Sequence, residues 1–273
     1  VVTRGEPPCN LRGRGRQVKI AAWNVNSLKA RLAHVLDWLR AAAPDVVLLQ
    51  ETKVTDEGFP LEPLNDAGYN VACVGQKSYN GVAILSKWPI DVLARALPGD
   101  ADDVQARYLE AFTGDVRVAT IYAPNGNPTD SAKFLYKLGW LQRLAHHTRT
   151  LLASEDAFVL GGDFNVAPTD DDVYDPLGWR GDALCRPESR AQWRRTLHLG
   201  LTDAIRTVHP GGHAYTWWDY RAGAWPADQG LRIDHLLLSP QAADRLQDAG
   251  IDRTPRAWER PSDHAPVWCE LRS

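Results

Sequence analysis

The chain has 273 residues, 44% of them hydrophobic and 24% charged, with a formal net charge of −3 at neutral pH. That length suffices to bury a sizeable core, and the composition excludes a disordered or fibrous chain. The charge gives no global positive field for nucleic acid, yet an acidic metal site beside a local basic stripe is compatible with such a partner.

Residues 1–17, VVTRGEPPCNLRGRGRQ, carry Arg4, Arg12, Arg14 and Arg16 among Gly and Pro and lack the apolar core of a signal peptide. They read as a basic, flexible arm ahead of one domain spanning 18–273. The chain contains no Met, which suggests a trimmed start or a start codon other than AUG. VKIAAWN (18–24) reads as a buried strand, followed by a helix with Leu28, Leu32, Val35, Leu36 and Leu39 on one face and Pro44 as its stop. DVVLLQ (45–50), GVAILS (81–86), VRVATIYA (116–123) and AFVLGG (157–162) read as further strands. A second long helix spans about Ser131 to Ala153, with Phe134, Leu138, Leu141, Ala145 and Leu152 on its apolar stripe. LRIDHLLLS (231–239) and PVWCEL (266–271) complete the strands, so the fold class is mixed α/β.

Cys9, Cys73, Cys185 and Cys269 are far apart and form no CxxC pair, which argues against zinc and a disulfide framework and for a reducing cytoplasm. No apolar run approaches the ~20 residues of a membrane span.

Several strands end on a polar residue. The first ends at Asn24, the second at Glu51, the fourth carries Tyr122, and the fifth runs into GGDFN, with Asp163 and Asn165 on the same side of an extended chain. Singly, Asn24 and Asn165 could be turn or cap residues, and Asp163 after two glycines a plain turn. Asp234, inside an apolar segment, needs a partner if buried, and His264 can supply it. Asp263 and His264 lie side by side just before the last strand. Together these residues suggest a shared site. Glu51 and Asp263 are hard oxygen ligands suited to Mg²⁺ or Mn²⁺, Asp163 could orient or deprotonate a water, and an imidazole held by Asp234 would donate to an anionic oxygen. With the neutral donors, that chemistry is hydrolysis of a phosphate ester. A glycosidase would need two carboxylates but neither the amides nor the imidazole.

WNVNSLKAR, LLQETK, YNGVAILSK, GDFNVAPTD, YTWWDYR, LRIDHLLLS and ERPSDHAPV, in this order, resemble the exonuclease III family of DNA-repair nucleases, within the endonuclease/exonuclease/phosphatase superfamily. The resemblance covers the chain from about residue 18 to its end. It implies a four-layer α/β sandwich, two packed mixed β-sheets flanked by helices. It also implies Mg²⁺- or Mn²⁺-dependent cleavage of duplex DNA at abasic sites, nicks or blocked 3′ ends, leaving a 3′-hydroxyl, by a monomer. Carried over by motif, Glu51 is the principal metal ligand with Asn24 and Asp263 nearby. Asp163 positions the attacking water, Asn165 and Tyr122 contact the scissile phosphate, and His264 contacts it too, oriented by Asp234. Trp217 lines the nucleotide pocket, while Trp218 reads as core. Lys53, Arg107 and Arg221 are candidate phosphate contacts or plain surface charges. Leu184 stands where the resemblance implies a small residue in members that cleave abasic sites well and a bulky one in members that act on 3′ ends. A phosphatase acting on inositol phosphates, and a DNA-binding protein without catalysis, are the competing classes.

Overall fold

A computed structural model of the chain describes residues 17–273, so the expected basic arm lies outside the described residues except for Gln17. In chain order the strands are β1 (Gln17–Asn24), β2 (Val46–Gln50), β3 (Asn70–Val74), β4 (Val82–Ser86), β5 (Ile90–Ala94), β6 (Tyr108–Thr113), β7 (Val116–Tyr122), β8 (Phe158–Asp163), β9 (Thr202–Asp203), β10 (Asp234–Leu238), β11 (Leu246–Ile251) and β12 (Val267–Arg272). The helices are α1 (Leu28–Ala42), α2 (Leu61–Asp66), α3 (Ala132–Ala153), α4 (Pro187–Leu197), α5 (Ala204–Val208) and α6 (Pro240–Ala243). No described helix is long and apolar enough to cross a membrane.

The strands form two six-stranded mixed sheets, ordered β11-β12-β1-β2-β4-β3 and β5-β6-β7-β8-β10-β9. Their inner faces meet in one core. Ile20, Leu48 and Ile84 come from the first sheet, and Leu109, Val118, Val159 and Leu236 from the second. On the outer face of the first sheet, Ala21, Trp23, Val47 and Leu49 pack against Val35, Trp38 and Leu39 of α1. On the outer face of the second, Ile121, Phe158 and Leu160 pack against Trp140, Leu141 and Leu144 of α3 and Trp193 of α4. Each central strand is thus covered on both faces, which is why these strands read as unbroken apolar runs. This is the expected four-layer sandwich.

The GG of GGDFN is not a turn. Gly161 and Gly162 lie within β8, and a Cβ on Gly161 would sit 2.7 Å from both Leu236 Cδ2 and Leu48 Cδ1, one from each sheet. A Cβ on Gly162 would meet the Ile121 carbonyl oxygen at 2.2 Å. The glycines let the two sheets and two strands close up immediately before Asp163.

LRIDHLLLS is only partly a strand. Regular pairing covers Asp234–Leu238, while Leu231 makes isolated bridges to Val173 and Trp217. The buried stripe of α3 is also turned from expectation. Phe134, Lys137, Trp140, Leu141, Leu144, Ala145, Thr148 and Leu151 are buried, and Leu138 and Leu152 only partly so.

Candidate active site

Topology brings the polar strand ends together. β1 and β2 are parallel with Asn24 opposite Gln50, so Asn24 and Glu51 emerge at the same edge. β7 and β8 are parallel with Tyr122 opposite Asp163, and antiparallel β10 begins there with Asp234 opposite Asp163. β12 runs antiparallel to β1, so the segment before it returns Asp263 and His264 to that same edge. A cavity of about 270 Å³ opens there, lined by Glu51, Tyr122, Asp163, Asn165, Asp263 and His264 among others.

At its floor, the Asn24 side-chain amide donates to Glu51 Oε1 at 2.8 Å and to Asp163 Oδ2 at 3.0 Å. Its carbonyl oxygen accepts from the Asn26 backbone N–H, so fully buried Asn24 is a strut beneath the carboxylates. Asp163 accepts from the Asn165 backbone N–H at 2.8 Å, and the Asn165 side-chain amide donates to the Ala123 carbonyl oxygen and to Asp163. Glu51 and Asn165 both hold positive φ, 51° and 50°. Asn tolerates that region. For Glu it costs about 1–2 kcal/mol, and the aim of the carboxylate into the cavity is what the strained backbone secures.

His264 Nδ1 lies 2.9 Å from Asp234 Oδ2, and Thr216 donates its hydroxyl to the same oxygen at 2.6 Å. On the ring's other side, Nε2 stands 3.8 Å from Asp163 Oδ2. Burial disfavours the charged ring, but the Asp234 carboxylate outweighs it and pushes the His264 pKa up to about 10. Burial, with Asp234 and Glu51 nearby, pushes Asp163 up to about 7 against the pull of His264. Tyr122 is held well above its ordinary range by burial and by the charges of Glu51 and Asp163, so its hydroxyl keeps its proton.

Glu51, Asp163 and His264 present ligand atoms within 4.8 Å of one another. Two of these three groups are carboxylates, a hard oxygen set that fits a divalent cation such as Mg²⁺ or Mn²⁺ better than a soft metal. Asp263 lines the cavity but its oxygens are engaged, Oδ1 by the Asn26 side-chain amide and Oδ2 by Trp217 Nε1, each at 3.0 Å.

Of the expected DNA contacts, Trp217, Arg221 and Leu184 line the cavity, and Trp218 is fully buried core. Arg221 is paired with Asp219, with Nη2 2.9 Å from Oδ2. Lys53 sits outside the cavity wall with Nζ 2.9 Å from Glu51 Oε2. Arg107 stacks 4.8 Å above the Tyr122 ring and lines a neighbouring cavity of about 380 Å³.

Asn125, not among the residues expected from the sequence, donates its side-chain amide to Asn165 Oδ1 at 3.2 Å at the cavity wall. Its place two residues after Ala123, just past a strand end, was the available signal. Trp179 and Asp182, also in the wall, come from a loop with no periodicity. Lys137 was missed because lysine inside an apolar stripe reads as surface. It is fully buried, donating from Nζ to the Asn125 carbonyl oxygen at 2.9 Å and to that of Asn165.

Comparison with known proteins agrees with this geometry. Residues 21–264 match the Endonuclease/Exonuclease/phosphatase family. Exodeoxyribonuclease III of Haemophilus influenzae is 35% identical over 267 residues, covering 93% of this chain and all of that protein. Among solved structures, a variant of the 3′ phosphatase NExo from Neisseria, bound to a product DNA hairpin, superposes with a TM-score of 0.91 at 44% identity, covering 93% of this chain and 99% of that one. An AP endonuclease from Archaeoglobus fulgidus gives 0.90 at 36% identity, covering 94% of this chain and all of that one. The chain belongs to the endonuclease/exonuclease/phosphatase family and, within it, to the exonuclease III type of DNA-repair nuclease, a hydrolase of DNA phosphodiester bonds.

Proposed function

We propose that this nuclease works mainly on 3′ ends of duplex DNA, removing 3′-phosphates and terminal nucleotides to leave a 3′-hydroxyl, with abasic-site incision the lesser activity. The observation that carries this is Leu184. It is 4% exposed, packs with Val173, Leu231 and Ile233, and lines the cavity beside Trp179 and Trp217. A bulky side chain there narrows the space into which an abasic nucleotide would have to flip, whereas a frayed 3′ end can approach from the open side. The Neisseria relative is described as a 3′ phosphatase and the Archaeoglobus one as an AP endonuclease, so the fold accommodates either outcome.

In this reading Glu51 would be the principal holder of the divalent ion, Mg²⁺ or Mn²⁺, with Asn24 bracing it from below and Asp263 at the rim of the same site, which leaves Asp163 to the water. Such an ion, when bound, polarises a phosphoryl oxygen and neutralises charge on the leaving oxygen. Asp163 orients a water toward phosphorus and accepts its proton. Protonated His264, held by Asp234, donates to a non-bridging phosphate oxygen as negative charge builds there, joined by Asn165, Tyr122 and Asn125. Arg221, Arg107 and Lys53 border the path of the phosphate backbone as positioning charges. Cys73, Cys185 and Cys269 are free, as suits a reducing cytoplasm where the DNA is also found. One chain carries all the proposed groups, so the site as drawn needs no residue from a second copy.

The test uses end-labelled duplexes with Mg²⁺: one with an internal abasic analogue, one with a nick bearing a 3′-phosphate, one with a recessed 3′ end. The expected result is fast loss of 3′-phosphate and terminal nucleotides with slow abasic incision, and a gain of incision in Leu184→Gly. Abasic incision faster than both 3′ reactions in the unaltered enzyme would overturn the preference. No cleavage of any duplex with Mg²⁺ or Mn²⁺ would overturn the whole reading.

A further inference from the structure

A second cavity, of about 320 Å³, adjoins the catalytic one and shares Trp179, Trp217, Asp219 and Arg221 with it as a common wall. Its remaining lining includes Tyr174 and Gln229. Three aromatic rings therefore border it. Trp179 lies between the other two, its centroid 6.4 Å from Tyr174 and 5.8 Å from Trp217, with interplanar angles of 73° and 81°. The rings meet edge to face and do not stack on one another, so in each pair one ring keeps both its faces clear of the other. The loop carrying Trp179 is braced: its backbone N–H donates to the Asp175 carbonyl oxygen, and its carbonyl oxygen accepts from Asp182 N–H at 2.9 Å. On the facing side, Leu231 bridges both Val173 and Trp217, tying the two walls to one backbone. Gln229 adds an amide that can donate and accept, and Arg221 a guanidinium steadied by Asp219.

Flat aromatic faces, one bifunctional amide and a cation at the mouth are what a nucleobase joined to a phosphate requires. The catalytic cavity supplies the phosphate end, through Asn165 and His264, and Trp217 stands between the two spaces. We propose that this second cavity is a nucleobase slot that takes the unpaired base of the 3′-terminal nucleotide while its phosphodiester is cleaved next door. The inference rests on the 3′-end reading above and deepens it. Stacking tolerates any base, so the slot gives little sequence preference. It does favour ends already unpaired, because a mismatched terminal base need not be torn from its partner to enter. A 3′-phosphate carries no base beyond the scissile bond and makes no use of the slot.

The experiment compares two reactions on one enzyme preparation: release of a terminal nucleotide and release of a 3′-phosphate, on otherwise identical duplexes with Mg²⁺. In Trp179→Ala the ratio of nucleotide release to phosphate release falls by roughly 5-fold to 100-fold, the range given by losing one base–aromatic stack. Trp179→Phe, which keeps a ring, restores most of the ratio. A ratio unmoved in Trp179→Ala overturns the slot while leaving the 3′-end reading intact, whereas absence of both reactions in the unaltered enzyme overturns that reading itself. A second measurement does not depend on how well Trp179→Ala folds. A duplex with 2-aminopurine as a mismatched 3′-terminal base is bound to Asp163→Asn protein, where stacking on the indoles quenches its emission relative to free duplex. Unchanged or brighter emission on saturation also overturns the proposal.

Discussion

His264 Nδ1 and Asp234 Oδ2 stand 2.9 Å apart although they come from the two sides of the sandwich, Asp234 opening β10 of the second sheet and His264 lying in the segment that leads into β12 of the first. The contact therefore joins the two halves of the sandwich at the point where the cavity opens. It also fixes the ring's role. With Nδ1–H committed to Asp234, only Nε2 can face Asp163 and an incoming phosphate. Asp234→Asn keeps the shape and removes the charge. Burial then dominates and the His264 pKa drops from its raised value, so the ring is neutral over more of the working range. The expected outcome is a fall in kcat of roughly 10²–10⁴-fold near neutral pH with a smaller change in KM. The remaining activity should rise toward acid pH, where the ring regains its proton. Profiles of kcat against pH for both proteins check this, and superposable profile shapes would count against it.

Glu51 is gripped from both sides, by Asn24 at Oε1 and by Lys53 at Oε2. An ion held by Glu51 would compete with the Lys53 ammonium for Oε2. Chelation should abolish cleavage, with Mg²⁺ or Mn²⁺ restoring it. Glu51→Gln should weaken Mn²⁺ binding by at least about 10-fold, read by calorimetry or by the spectrum of the free ion. Lys53→Ala should do the reverse and tighten Mn²⁺ binding. Equal Mn²⁺ affinity in the unaltered protein and Glu51→Gln would remove Glu51 from the ligand set.

Local signals made the central architecture legible. β1, β2, β4, β7, β8, β10 and β12 are covered on both faces or nearly so, and their apolar runs stand out. The strands left unread are edge or polar ones. β5 alternates between half-buried and exposed, β11 carries Gln247 and Asp248 with an irregular register, and β6 contains Glu110, whose charge hides its 1% exposure. Glu110 is tolerable there because Arg117, His147 and Tyr108 all bond to it. Within the site, residues at strand ends were legible because a polar residue closing an apolar run breaks a pattern. Trp179, Asp182 and Lys137 were not. The first two arrive through a loop whose path depends on tertiary contacts, and the third is buried against backbone carbonyls that no sequence pattern reveals.

Lys137 tests whether those carbonyls matter. Burial brings its pKa down to about 7 despite the attraction of Asp163 and Asp182. Its methylenes fill the space beneath Gly126, where an added Cβ would meet Lys137 Cδ at 2.5 Å. Lys137→Met keeps that filling and deletes the donors, leaving the Asn125 and Asn165 carbonyls unserved at about 1–3 kcal/mol each. The segments bearing both asparagines should then shift, lowering kcat by roughly 10-fold or more together with the melting temperature. A stability loss with kcat within about 2-fold of the unaltered enzyme would reduce Lys137 to a structural residue.

His235 should set an acid limit on stability. It is fully buried beside the cavity's second sheet, with Nε2–H donating to the Val166 carbonyl oxygen at 2.9 Å and Nδ1 accepting from Arg232 at 3.1 Å. A proton on Nδ1 would face the guanidinium. Burial first, and Arg232 second, lower its pKa to about 4. The unfolded chain's histidine binds a proton near pH 6.5, so between about pH 6.5 and pH 4 the unfolded state holds more protons than the folded one. Stability is therefore full above that window and falls as the pH drops through it, by on the order of 1–2 kcal/mol between pH 7 and pH 5. His235→Gln, which can still donate to Val166, should begin less stable at pH 7 but lose less on acidification. Urea midpoints at several pH values measure both slopes, and parallel lines for the two proteins would show that the acid sensitivity lies elsewhere.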